Sequence, residues 1–203
     1  MRFLRFSVLA VIISVFAAQA FAQQSTCTLN QAPEMRGFRL GMTLIDARRS
    51  LDDPTLFDSK VSAGGSDESR TIRLLGSELK GESGEGVDDI NLTFINNKLA
   101  VIKLTYNSAV SWEGSKDFFA RVSESLGLPA PSGSDSSGAG RGRSEKYKIE
   151  CTGFTVVLAY SFGISPNVTI SDTAAQKLVD KRQEGDKEIR DIRIGPATRR
   201  RRP

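Results

Sequence analysis

The sequence predicts an α+β fold in which three helices pack on an antiparallel sheet, in the order helix, three strands, helix, three strands, helix. Three observations carry that expectation. Thr43 and Asp46 have the spacing of a helix start, two pairs of apolar runs at period two are joined by short turns, and an amphipathic stretch ends at Gly127 and Pro129.

The first helix begins after Gly41, which allows a tight entry. Thr43 accepts from the Asp46 amide and the Asp46 carboxylate reaches back to the cap. Leu44, Ala47 and Leu51 then form an apolar stripe that stops near Asp52-Asp53-Pro54. A polar Gly/Ser stretch from Ser62 to Ser69 precedes the first strand, Thr71 to Leu79. In the next strand Ile90, Leu92 and Phe94 share one face, and the chain returns with Leu99, Ile102, Leu104 and Tyr106. Asn96-Asn97 suits the two-residue turn between them, because asparagine tolerates positive φ. The apolar phase slips between Leu99 and Ile102, so a bulge is expected near Ala100 or Val101.

The second helix takes Ser111 or Ser115 as its N-cap, buries Phe118, Phe119, Val122 and Leu126, and closes on Gly127 with Leu128 packed back. Residues 131–143 are too poor in apolar side chains to pack and read as a flexible loop. Lys146 to Cys151 and Phe154 to Tyr160 form a second hairpin about Thr152-Gly153, and Asn167 to Ile170 makes a short third strand. A last helix starts at Asp172 or Thr173 and is closed by Gly185.

Residues 1–22 have the layout of a signal peptide: Arg2 and Arg5, an apolar run from Phe6 to Phe16, and the small-residue site Ala20-Phe21-Ala22. The expected organisation is that segment, one domain over 23–185, and a basic disordered tail over 186–203, with no transmembrane segment after cleavage. A periplasmic or secreted location follows, and the oxidising compartment makes a Cys27–Cys151 disulfide plausible, two buried thiols being the alternative. The net charge of +4 resides in the leader and the tail, leaving a mildly acidic body. Nucleic acid is therefore not expected as a partner.

The stretch Leu40-Gly41-Met42-Thr43, with Asp46 three residues after the threonine and Leu51 closing the stripe, resembles the GMTxx(D/E)V helix start of two families of small exported bacterial proteins. These are the SmpA/OmlA barrel-assembly lipoproteins and the beta-lactamase-inhibitor-protein-like domains. The resemblance implies helices set against a small antiparallel sheet, and a binding or assembly role without catalysis.

Catalytic signals are sparse. The chain has no histidine, which removes the usual general base of serine and cysteine hydrolases and the commonest zinc ligand. Glu82, Glu85, Asp88 and Asp89 form an acidic loop, but the spacing matches no calcium-binding loop. No cofactor is expected. Two features remain as partner contacts: the basic cluster Arg199, Arg200, Arg201 and Arg202, and Trp112, which either anchors the helix entry or meets another molecule. The expected function is an exported, non-enzymatic protein-binding or assembly module of the bacterial cell envelope. The alternative is a structural protein whose basic tail contacts anionic polymer or lipid.

Overall fold

The computed structural model describes residues 27–63, 69–131, 135–137 and 144–178. The expected signal segment 1–22 and the expected tail 186–203 lie outside the described residues, as does most of the expected flexible loop.

Two short helices come first, α1 (Leu44–Arg48) and α2 (Pro54–Ala63). Three strands follow: β1 (Ser69–Leu75), β2 (Val87–Ile95) and β3 (Lys98–Tyr106). Helix α3 (Ser115–Ser125) leads to β4 (Asp135–Ser137), β5 (Ser144–Cys151), β6 (Phe154–Ser161) and β7 (Ile164–Asp172), and a helix starting at 173 is described to 178. All seven strands form one antiparallel sheet in the order β1-β2-β3-β7-β6-β5-β4. Two meanders thus meet along β3 and β7.

The expected arrangement of three helices on a sheet, in the order given above, is corrected by this architecture. Among the described residues two helices, not one, precede β1, a fourth strand precedes β5, and the sheet dominates. Asp52-Asp53-Pro54 is a boundary between helices and not an end. Asp53 Oδ1 accepts from the Thr55 amide at 2.9 Å, and Pro54 occupies the first helical position, where its missing N–H costs nothing. The helix carries little sequence signal because its apolar residues form no broad stripe: Phe57 is buried and Val61 half-buried, whereas Leu56 is exposed. β4 pairs with β5 through backbone bonds that need no apolar pattern, and β7 is nine residues long, its barely buried first half carrying no apolar alternation.

Local chemistry explains the rest. The Thr43–Asp46 capping box is complete: Asp46 N donates to Thr43 Oγ1 at 3.2 Å, and Thr43 N donates to Asp46 Oδ2 at 3.3 Å. Immediately before it, Gly41 N donates to Leu99 O at 2.7 Å and Leu99 N to Met42 O at 2.8 Å, so this stretch adds rungs to the end of β3. Gly41 manages this at φ 83°, a region costly for other residues. The β2–β3 turn has Asn96 and Asn97 at φ 50° and 62°, and the register jumps from Thr93↔Val101 to Phe94↔Leu99, leaving Ala100 as the extra residue. Helix α3 is capped by Gly114, not Ser111 or Ser115, because the Ser115 hydroxyl is turned to the Glu145 carboxylate. Its C-terminus is closed by Leu128 N to Ser123 O at 2.8 Å and Gly127 N to Glu124 O at 3.1 Å, the paired bonds of a Schellman ending.

The helices cover one face of the sheet. On it Ile72, Leu74, Ile90, Leu92, Phe94, Ile102 and Leu104 join Val156, Leu158, Val168 and Ile170 in one core with Phe38, Phe57 and Phe118. The other face is polar and open, with Thr71, Arg73 and Lys103 exposed and Thr93, Asn91 and Thr169 half-buried. Asp89 is the exception there, buried beneath Arg73 at 2.8 Å and Asn91 at 2.5 Å.

Strand β1 forms one edge of the sheet, where unpaired carbonyls invite other chains. Lys60 of α2 covers one of them, donating to Arg73 O at 2.9 Å and to Glu78 Oε2 at 2.6 Å. Burial opposes ionisation of Glu78, yet the Lys60 ammonium and the Leu75 amide outweigh it and hold its carboxyl below its ordinary value of 4.5. A lowered folded value means stability that is present above the unfolded value and lost as pH falls through the folded one. Asp46 and Asp53, held down chiefly by bonds from Thr43 and Thr55, act in the same direction. The urea midpoint is therefore expected to fall between about pH 5 and 3. Glu78→Gln should remove about 1 kcal/mol at pH 7 and flatten part of that slope, as chemical denaturation at several pH values would show.

Candidate functional site

Cys27 and Cys151 form a disulfide, with Cα atoms 5.0 Å apart across 124 residues of sequence. It fastens the start of the described chain to the end of β5, and both cysteines pack against the core. A broad cleft of about 760 Å³ opens beside it, lined by Met42, Asp46, Arg49, Thr152 and Asp172 among others. Its carboxylates already have structural roles: Asp46 belongs to the α1 capping box, and Asp172 Oδ1 accepts from Ala175 N at 2.8 Å to start the last helix. The sequence stretch around Thr43 therefore builds shape.

A second cleft has a volume of about 440 Å³. Four pieces of chain form it. Arg36 comes from a tight turn, Tyr106 from the end of β3, Val110 and Trp112 from the β3–α3 connection, and Arg121, Val122 and Glu124 from α3. Phe118 organises the aromatic floor. Its ring stands nearly perpendicular to Trp112 at 5.0 Å and to Tyr106 at 5.8 Å, and Tyr106 meets Trp112 at 5.3 Å. Such edge-to-face pairs contribute about 0.5–1.5 kcal/mol each beyond area burial.

Of the two roles the sequence left open for Trp112, the structure shows the anchoring of the helix entry. Trp112 packs against Phe118 at the entry to α3, and as a half-buried residue it also lines the cleft. Its indole N–H is enclosed without an acceptor among the described residues, whereas a tryptophan placed only for structure ordinarily finds one. The Arg121 guanidinium lies over the indole, 4.5 Å from the ring centre, and donates to Ser111 O at 3.1 Å and Asp117 Oδ2 at 3.3 Å. Arg36 donates from Nη2 to Glu85 O at 3.0 Å. Burial pushes the Tyr106 hydroxyl above its ordinary value while Arg36 and Arg121 pull the other way. Tyr106 thus remains a protonated donor near neutral pH, with two cations close by.

Comparison with protein-family models, curated proteins and solved structures finds no match. Among the described residues no group of three metal-ligating side chains forms, and no helix is long and apolar enough to cross a membrane. The acidic loop is dispersed: Asp89 pairs with Arg73 on the open sheet face, and the Glu85 carbonyl receives Arg36. Arg199, Arg200, Arg201 and Arg202 lie outside the described residues. Arg36 and Arg121 carried no signal of their own in the sequence and Tyr106 only that of a strand residue; the fold brings them to Trp112.

Proposed function

We propose that this is an exported protein-binding module whose contact surface is the Trp112 cleft, without a catalytic step. The observation that carries the reading is the residue set of the cleft: Trp112, Tyr106, Arg36 and Arg121. Tryptophan, tyrosine and arginine are the residue types that dominate binding energy at protein interfaces, because they combine large rigid contact area with directed donors. Export is supported by the disulfide, which oxidising compartments allow to persist, together with the leader-like first 22 residues. An assembly or inhibitory role in the cell envelope fits the same surface.

The test is a photo-crosslinking residue placed at Val110 in the chain expressed in its native envelope. One discrete adduct is expected, absent when Trp112→Ala is added and absent from the same residue placed at Lys103 on the open sheet face. Equal adducts from Val110 and Lys103, or an adduct indifferent to Trp112, would rule the cleft out as the contact surface.

A further inference from the structure

Arg36 sits in left-handed backbone at φ 56°, followed by Gly37 at φ 89°. Across them Met35 and Phe38 exchange both backbone bonds, at 2.8 and 3.0 Å, and both side chains are buried. Positive φ at both central residues of a two-residue turn calls for asparagine, aspartate or glycine. The same chain answers that demand at Asn96-Asn97. Arginine has no side-chain means of offsetting the conformation, and a residue held in such a region against its preference points to a demand from outside the turn. The demand visible here is the cleft, which the guanidinium helps to line.

Both arginines are anchored while keeping donors to spare. The Glu85 carbonyl takes one N–H of Arg36, and the Ser111 carbonyl and Asp117 carboxylate take those of Arg121 Nη1. A guanidinium offers five N–H donors in a planar fork that matches a carboxylate, so among the described residues each retains unused ones. Glu124 on the rim limits the charge the cleft will accept and disfavours a dianion. Trp112 and Val110 supply an apolar wall beside the cations.

We propose that the cleft takes the side-chain carboxylate of an acidic peptide segment, gripped between Arg36 and Arg121, with the neighbouring aromatic or aliphatic side chain laid against Trp112 and Val110. This rests on the protein-binding reading above and names the chemistry of the partner. Arg36 is kept in its strained turn because no residue with better turn propensity can reach and hold that carboxylate.

Trp112 is the one tryptophan of the chain, so its emission reports the cleft directly. Titration of the disulfide-bonded protein with acetyl-Phe-Asp-amide should shift that emission, with an affinity about tenfold or more above that of acetyl-Phe-Asn-amide, as a lost charge-assisted bond implies. Arg36→Asn should abolish the preference while its melting temperature stays the same or rises. Equal affinity for the two peptides overturns the proposal, as does no response to either, an equal response to inorganic phosphate alone, or a response to acetyl-Asn-Phe with a free terminal carboxylate only. Equal affinity with a Trp112-dependent adduct intact in the envelope would sink the carboxylate and leave the protein-binding reading standing; an adduct indifferent to Trp112 would sink the reading itself.

Discussion

Phe118→Ala is expected to lower the free energy of unfolding by about 3–5 kcal/mol, the largest effect of any single substitution considered. Phe118 is fully buried and touches Tyr106, Trp112, Phe119 and Tyr160, which come from β3, the β3–α3 connection, α3 itself and β6. Removing the ring leaves a cavity that four other aromatic rings, each held by its own element, cannot close together. Denaturant midpoints give the magnitude. A second readout separates this substitution from ordinary core damage: Trp112 loses its nearest ring, so its emission should move to longer wavelength even in native buffer. A loss below about 1 kcal/mol, the ordinary scale for a point mutation, would mean the aromatic cluster is not packed as described.

Replacing Cys27 and Cys151 by serine should cost about 2–5 kcal/mol. The bond closes a loop of 124 residues, and the entropy removed from the unfolded chain grows with the logarithm of that length. The native state is expected to survive, because the core of the sheet does not depend on the bridge, but the segment from Cys27 to Ala32 loses its only covalent anchor to β5. Denaturation with and without reductant measures the difference. An unchanged midpoint on reduction would show that the N-terminal segment holds its place through Leu29, Ala32 and the Met35–Phe38 turn alone.

Where local chemistry decides the structure, the sequence could be read. The capping box at Thr43, the Asn96-Asn97 turn, the extra residue at Ala100 and the Gly127 ending each rest on a side chain or a φ value confined to a few residues. Where burial of a few atoms or backbone pairing decides it, the sequence was nearly silent. Helix α2 shows only a narrow apolar face, Phe57 with half-buried Val61, and β4 is three residues of Asp and Ser paired through their backbone. Pro54 opens a helix where the sequence suggests the end of one, since Pro at a first helical position and Pro just past a helix end present the same local pattern when the apolar residues that follow form no clear stripe.

The cleft obeys the same division. Trp112 could be singled out because it is unique in the chain, yet its partners are 76 residues before it, at Arg36, and nine after it, at Arg121, and no periodicity links them. The one local clue was Arg36-Gly37 between the apolar Met35 and Phe38. It escaped because a turn that needs positive φ is recognised by Asn-Gly or Asp-Gly, and arginine in the first place disguises it.

Whether Arg36 is kept for contact at the expense of its own turn is tested most directly by one paired measurement on Arg36→Asn: its thermal midpoint, and the Val110 crosslink in the native envelope. A midpoint equal to or above that of the parent chain, together with loss of the adduct, is the expected result. A lower midpoint with the adduct retained would contradict it, because Arg36 would then be serving the fold and not the partner.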